Sequence, residues 1–172
     1  MLIIRHYRKS DAQQVGVLIA DTYSEFNLSE VTSEQRDAML GPFLYARSLE
    51  PSHRKHIAEA IHAPTVLVAE IDGQIVGVLR GGRTDSLGRT VLQSLFVSGK
   101  HYRQGIGRKL VERFEKEYIV RGVTVFKLLA TIHAVPFYLE IGYRKSTGVR
   151  PIHSFEGAGL LSQPMKKVLK RK

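Results

Sequence analysis

The apolar and polar pattern in the first third of the chain predicts one strand followed by helices. Residues 2–7 are strand-like, and the apolar positions that follow recur every three or four residues, which predicts an amphipathic helix. Ser10 and Gln13 fit a capping box, so we expect this helix to begin at Ser10. Residues 33–63 predict one or two further helices, interrupted near Pro51. The buried stripe of the first helix would comprise Val15, Leu18, Ile19, Thr22, Tyr23 and Phe26.

The middle of the chain predicts a meander of strands. Residues 65–71 and 74–79 are apolar runs separated by Asp72-Gly73, a dipeptide typical of a tight hairpin turn because both of its positions need a positive φ. After a polar loop, residues 90–97 form a third run with strand-like composition.

The remainder of the chain alternates between helices and strands. Gly105 leads into an amphipathic helix that ends at Gly122, and residues 123–130 predict a buried strand. A short helix, a strand, a long loop and a last strand follow over residues 134–141, 143–147, 148–159 and 160–168. This order predicts a single α+β domain of mixed α/β type over residues 1–172, with a mostly antiparallel sheet. It does not fit a doubly wound sheet of repeated βαβ units.

Length and composition are those of one globular domain, with 172 residues of which 43% are apolar and 24% charged. No apolar run is long enough to span a bilayer and no secretory signal follows Met1, so we expect a cytoplasmic protein with no membrane partner. The chain has no cysteine, which excludes disulfides, thiolate metal sites and a cysteinyl acyl intermediate.

The net charge is +10, from 26 Lys and Arg against 16 Asp and Glu, and such a surplus attracts polyanions. Nucleic acid, an anionic membrane and a phosphorylated small molecule all fit this charge, and composition does not choose among them. Part of the surplus lies in the tail over residues 166–172, which we interpret as a solvated terminus.

A glycine-containing loop joins the strand over residues 90–97 to the following helix, and it reads Arg103-Gln104-Gly105-Ile106-Gly107-Arg108. Its glycines let several backbone N–H groups point into one hollow, and the helix start adds free donors and the positive end of the helix dipole. The loop therefore predicts a phosphate site, with pyrophosphate as the natural ligand. Its glycine spacing matches neither a Walker A loop nor the dinucleotide fingerprint.

A second motif follows about 30 residues later, around a short helix. Ala134 and Tyr138 are four residues apart and share a helix face, so a ligand could pass close to the small residue and reach the Tyr138 hydroxyl. Gly142 fits a C′ glycine before the strand at Tyr143. Phe137, considered alone, fits a core aromatic residue.

Together, Tyr102-x-x-Gly105-x-Gly107 and Ala134-x-x-Phe137-Tyr138-x-x-x-Gly142-Tyr143 resemble the two hallmark motifs of the GNAT superfamily of N-acetyltransferases. The family usually has Gln or Arg where this chain has Tyr102, at a position that contributes mainly through its backbone. The resemblance covers nearly the whole chain. It implies a central, mostly antiparallel mixed sheet of six to seven strands flanked by about four helices, with acetyl-CoA as cosubstrate.

The resemblance also implies direct transfer of acetyl to an amine, and it assigns roles to residues. Backbone N–H groups of residues 103–108 would bind the pyrophosphate, the strand end Leu95-Phe96-Val97 would pair with the pantetheine arm, and Tyr138 would be the general acid. The cofactor-binding residues would be Leu95, Phe96, Val97, Tyr102, Arg103, Gln104, Gly105, Ile106, Gly107, Arg108, Ala134 and Phe137.

No general base can be assigned from the sequence. Many GNAT relatives carry a glutamate on the strand before the loop, whereas this chain has Gln93 and Ser94, neither of which is a base. Asp21, Glu25 and Glu70 are the other carboxylates considered, and a surface or capping role is favoured for each.

The histidines give no stronger signal. His53, His56 and His62 lie near one another without a completing carboxylate pattern, so no metal is expected, and we interpret His101 and His133 as polar loop residues.

Two other functions stay open: a basic nucleic-acid-binding domain and a non-catalytic acyl-CoA sensor. Nucleic-acid binding is the weaker of these hypotheses, because the sequence has no recognition motif. A homodimer is also left open. The acceptor could be a small amine, an antibiotic, an amino acid or a protein amine. In relatives the acceptor is framed by the segments that correspond here to residues 26–34 and to the late loop, which carries Arg150, His153 and Glu156.

Overall fold

The computed structural model describes residues 1–152 and 159–169, and its strands form one eight-stranded sheet. The strands are β1 (Leu2–His6), β2 (Thr65–Ile71), β3 (Gln74–Thr84), β4 (Thr90–Val97), β5 (Val125–Thr131), β6 (Arg144–Lys145), β7 (Arg150–Pro151) and β8 (Leu161–Val168). Their order is β1-β2-β3-β4-β5-β8-β6, with β7 also paired to β8. The β4–β5 pair is parallel and the other pairs are antiparallel.

Helices cover both faces of the sheet. They are α1 (Ala12–Phe26), α2 (Ser33–Leu40), α3 (Pro51–Ile61), α4 (Ile106–Ile119) and α5 (Val135–Glu140). On one face α1 and α3 pack against Val66, Val68 and Val78, and on the other α4 packs against Leu67 and Leu79. Alternate residues of β2 therefore serve two cores, which explains why this strand is apolar almost throughout.

The predicted fold class is confirmed, and the sheet has eight strands because the two-residue strands β6 and β7 both pair with β8. The hairpin turn at Asp72-Gly73 is also present, with φ of 49° and 82°. Residues 33–63 form α2 and α3, joined through a 3₁₀ turn over Gly41–Tyr45. No described helix is both long and apolar enough to cross a membrane.

The expected start of α1 at Ser10 is wrong. A 3₁₀ turn spans Lys9–Asp11, and α1 begins at Ala12. The Asp11 carboxylate accepts the Arg8 N–H at 2.7 Å and two hydrogen bonds from the Arg5 guanidinium, at 2.7 and 3.0 Å. A carboxylate held by an arginine is a stronger acceptor than a serine hydroxyl. The hydrogen bonds from Arg5 also lower the pKa of Asp11 below its usual range.

A gap in the sheet positions the site. Only Thr90 and Val91 of β4 pair with β5, so the two strands diverge over the rest of their length. The register of β4 against β3 also shifts, because Gly81 pairs with Leu92 and Arg80 with Ser94, leaving Gln93 as the extra residue of a bulge. Beyond the bulge, Phe96 faces α1 while Leu95 faces α4.

Candidate functional site

The diverging strands β4 and β5 form the walls of a cleft of about 1410 Å³. The loop before α4 and the start of α5 line one end, while the C-terminal end of α1 and residues of β3 and β7 line other parts of it. Among the described residues, the gap leaves the backbone of β4 beyond Val91 without a partner strand on the cleft side, so an extended ligand could pair with it.

The loop before α4 has the geometry of an anion site. Arg103 and Gly105 both have positive φ, of 59° and 75°, and they turn the backbone sharply into the helix. In the described part of the chain, no hydrogen-bond acceptor is found for the N–H groups of residues 103–108. Helical bonding begins with the Lys109 N–H, which donates to the Gly105 carbonyl at 3.0 Å. These free donors lie at the positive end of the helix dipole, where an anion is favoured.

The start of α4 packs closely against the cleft walls. A Cβ added at Gly107 would lie 3.3 Å from the Phe137 ring and 3.6 Å from Leu95, so this glycine allows α4 to approach both α5 and β4. The side chain of Arg108 makes an ion pair with Glu140 across the same end of the cleft. Lys100, Arg103 and Lys109 are exposed around the loop and add positive charge.

Tyr138 lies on α5 and is 6% exposed. Its ring meets those of Phe137 and Tyr143 edge-on, at centroid distances of 5.0 and 5.6 Å. Burial raises the pKa of the Tyr138 hydroxyl well above its usual value near 10. The hydroxyl makes no hydrogen bond with any described residue. The hydroxyl therefore carries its proton throughout the neutral range and is available to a ligand in the cleft.

A buried polar network is hydrogen-bonded to the backbone of Tyr138. The Tyr143 hydroxyl donates to Glu115 at 2.9 Å, and Lys167 donates to the other oxygen of Glu115 at 2.7 Å. Tyr143 is fully buried, and its N–H donates to the Tyr138 carbonyl at 2.9 Å. These hydrogen bonds hold the end of α5 against α4 and β8, and they thereby also hold the ring of Tyr138 in place.

Nearly all of the residues predicted as a site lie together in this cleft. Gln104 is the exception, because its exposed side chain turns back to the Lys100 carbonyl at 3.5 Å. The cleft is lined by the others, namely Leu95, Phe96, Val97, Tyr102, Arg103, Gly105, Ile106, Gly107, Arg108, Ala134, Phe137 and Tyr138.

A row of aromatic rings among the residues that line the cleft was not predicted. Phe26, at the end of α1, stacks on Tyr102 with centroids 5.3 Å apart and lies 6.4 Å from the ring of His133. Tyr102 follows β4 and His133 follows β5, so the row bridges the two diverging strands. In the sequence, Phe26 looks like one more residue of the buried stripe. The packing of Tyr102 on it accounts for an aromatic residue at this motif position.

The carboxylates considered as general bases do not line the cleft. Asp21 pairs with Arg47 at 2.9 Å and Glu70 with Arg5, whereas Glu25 lies against Gly99 outside the cleft. Of the other polar residues considered in the sequence, Gln93, Ser94, His101 and His133 do line the cleft, and burial lowers the pKa of His133. His153 and Glu156 of the late loop lie outside the described residues.

Sequence comparison identifies the family. A profile of the acetyltransferase (GNAT) domain matches residues 20–169, so the chain belongs to the GNAT acetyltransferase family. By family it is an N-acetyltransferase, and coenzyme A complexes among the structural neighbours described next fit acetyl-CoA as the cosubstrate. A comparison with curated proteins found no match.

Solved structures share the fold at low identity. The PaiA N-acetyltransferase from Thermoplasma acidophilum, in complex with coenzyme A, has a TM-score of 0.74 at 14% identity, over 98% of this chain and 99% of that one. An aminoglycoside 6'-N-acetyltransferase complexed with coenzyme A has a TM-score of 0.65 at 18% identity, over 99% and 98%. The ribosomal-protein-alanine N-acetyltransferase from Brucella melitensis has a TM-score of 0.63 at 22% identity, over 97% and 99%.

Proposed function

We propose that this chain transfers acetyl from acetyl-CoA directly to a primary amine, and that the reaction takes place in the cleft between β4 and β5. The observation that carries the proposal is the convergence of three features on one cleft. These are the free N–H groups of residues 103–108, the unpaired edge of β4, and the buried, protonated hydroxyl of Tyr138.

The first two features suit the two parts of the cosubstrate. The N–H groups at the start of α4 would hold the pyrophosphate, with Arg103 and Lys100 adding charge from the exposed side. The unpaired backbone of β4 beyond Val91 would bond the amides of the pantetheine arm, as an added strand would. The thioester would then lie between the strands, within reach of α5.

Tyr138 supplies the proton that the leaving group needs. A neutral amine attacks the thioester carbonyl, a carbon–nitrogen bond forms, and an N–H group of β4 stabilises the oxyanion. The carbon–sulfur bond then breaks, the thiolate takes the Tyr138 proton, and the proton lost by the amine returns the tyrosine to its neutral form through solvent. Because the reaction needs no enzyme thiol, the absence of cysteine fits this route.

Two measurements test the proposal. Thermal unfolding measured with acetyl-CoA and, separately, with an oligonucleotide distinguishes a cofactor site from a nucleic-acid site. We expect acetyl-CoA to raise the unfolding midpoint and the oligonucleotide to leave it unchanged. Release of coenzyme A is then followed with a thiol-reactive dye across a panel of amines. The enzyme gives no background signal in this assay, because the chain has no cysteine. Stabilisation by acetyl-CoA without release by any amine would instead favour an acyl-CoA sensor.

A further inference from the structure

An ion pair lies at the closed end of the gap between β4 and β5. The turn between β3 and β4 begins at Asp85, whose N–H donates to the Arg89 carbonyl at 3.0 Å. Lys127 of β5 donates through Nζ to the Asp85 carboxylate at 2.7 Å. Among hydrogen bonds between described residues, no other side-chain bond joins β5 to the hairpin of β3 and β4. The pair therefore ties the hairpin to β5 beside their short main-chain pairing.

The position of Lys127 gives this contact influence over the whole gap. Lys127 pairs with Val91, the last residue of β4 that pairs with β5. A strand rises about 3.3 Å per residue, so the stretch from Val91 to Val97 is about 20 Å long, and a change of about 3° at the closed end moves the far end by about 1 Å. The far end of β4 leads into the loop before α4. A small change at the ion pair would therefore move the walls of the proposed cofactor site.

The surroundings of the pair favour its formation. The Asp85 carboxylate also accepts the N–H groups of Leu87 and Arg89, both at 3.0 Å, and the Arg89 Nε at 2.8 Å, so the turn holds it in place. The hydrogen bonds from Lys127 and Arg89 hold the pKa of Asp85 well below its usual range, which keeps it ionised at neutral pH. Lys166 lies directly opposite Lys127 on β8, and this like charge favours a bond from Lys127 to Asp85.

We propose that Lys127 and Asp85 are positioning residues, and that their ion pair sets the width of the gap between β4 and β5 and thereby the affinity for acetyl-CoA. Neither residue lines the cleft, so the pair acts through the strands and touches no ligand. The proposal rests on the proposed function, because that function places the pantetheine arm in this gap. A cleft held at the right width before binding spends less of the binding free energy on ordering its walls.

Two variants that each remove one cation from Asp85 test this. Lys127→Met breaks the bond to β5, whereas Arg89→Met breaks a bond within the turn and is the matched control. We expect Lys127→Met to raise the acetyl-CoA Kd about fivefold, as for loss of a partly exposed ion pair, and Arg89→Met to change it less than about twofold. Lys127→Arg, which can still reach the carboxylate, should recover most of the affinity. Calorimetric titration measures each Kd.

The width of the gap can also be measured directly, without a ligand. Because the chain has no cysteine, Lys100→Cys and Ile132→Cys introduce two unique sites for nitroxide labels. Both positions are exposed, and they follow β4 and β5 respectively. Pulsed electron paramagnetic resonance then gives the distribution of distances between the labels. We expect Lys127→Met to broaden this distribution and Arg89→Met to leave it unchanged.

The outcomes separate a positioning role from a purely structural one. An unchanged distance distribution in Lys127→Met, or an equal change of Kd in the two methionine variants, would overturn the proposal. A lower urea midpoint in Lys127→Met with an unchanged acetyl-CoA Kd would also overturn it, because the pair would then serve stability alone. If the parent chain did not bind acetyl-CoA, the proposed function itself would be contradicted, whatever the label distances show.

Discussion

The hydroxyl of Tyr138 combines burial with access to the cleft, and this combination decides its chemistry. Burial favours the neutral phenol, so the proton is present over the whole range in which the enzyme would work. The ring is held by Phe137 and Tyr143 rather than through its hydroxyl. Removing the oxygen should therefore change the chemistry and leave the packing unchanged.

We expect Tyr138→Phe to lower kcat about 100-fold, as for loss of a general acid, with the acetyl-CoA Kd changed less than about twofold. Steady-state release of coenzyme A and calorimetric titration of acetyl-CoA measure the two quantities. Tyr45→Phe is the control, because Tyr45 is 48% exposed and lies outside the cleft. Unchanged turnover in Tyr138→Phe would remove this residue from the mechanism.

The two glycines of the loop before α4 have different structural roles. Gly105 has a φ of 75°, in the left-handed region, whereas Gly107 lies within the first turn of the helix. An alanine at the first position strains the backbone by about 1–2 kcal/mol. An alanine at the second position suits a helix and requires only a small shift of the Phe137 ring.

We therefore expect Gly105→Ala to weaken acetyl-CoA binding about tenfold, because the loop relaxes away from the geometry that presents its N–H groups. Gly107→Ala should bind within about threefold of the parent chain. Calorimetric titration of both variants gives the comparison. An equal loss in the two variants would show that the left-handed backbone at Gly105 is not what sets acetyl-CoA affinity.

Local signals in the sequence were sufficient to predict several turns and helix ends. The turn at Asp72-Gly73, the helix after Gly105 and the stop at Gly142 each follow from the backbone preferences of one or two residues. The cluster around the cleft followed from the resemblance of two motifs, each contained in a short segment.

Features that depend on distant residues could not be predicted. The start of α1 is decided by Arg5 and Asp11, and hydroxyl capping at Ser10 loses to that pair. The bulge at Gln93 appears only in the register between β3 and β4. The aromatic row joins Phe26, Tyr102 and His133, which are far apart along the chain. A one-dimensional pattern carries no information on such long-range pairs.

Buried tyrosines give the folded chain a defined response to alkali. Burial raises the pKa of Tyr23, Tyr138 and Tyr143 above the ordinary value of 10.0. Above about pH 10 the unfolded chain loses these protons while the folded chain keeps them. The folded state then binds more protons than the unfolded state, so the free energy of unfolding falls as pH rises.

We expect the urea midpoint to be nearly constant from about pH 7 to 9 and to fall between about pH 10 and 11. Tyr23→Phe should make this fall shallower, and the change costs little because the buried Tyr23 hydroxyl has no hydrogen-bond partner among the described residues. Tyr45→Phe, at an exposed position, should leave the slope as it is. A slope that Tyr23→Phe does not change would show that this hydroxyl ionises normally in the folded chain.

The short pairing between β4 and β5 divides the proposed site between two halves of the chain. One wall and the loop before α4 come from residues before α4 ends, and the other wall and Tyr138 come from residues after it. A chain cut at the turn on Gly122 would give two fragments, neither of which has a complete binding site. Recovery of acetyl-CoA binding on mixing them would then measure reassembly, so the ligand serves as a reporter of fragment complementation.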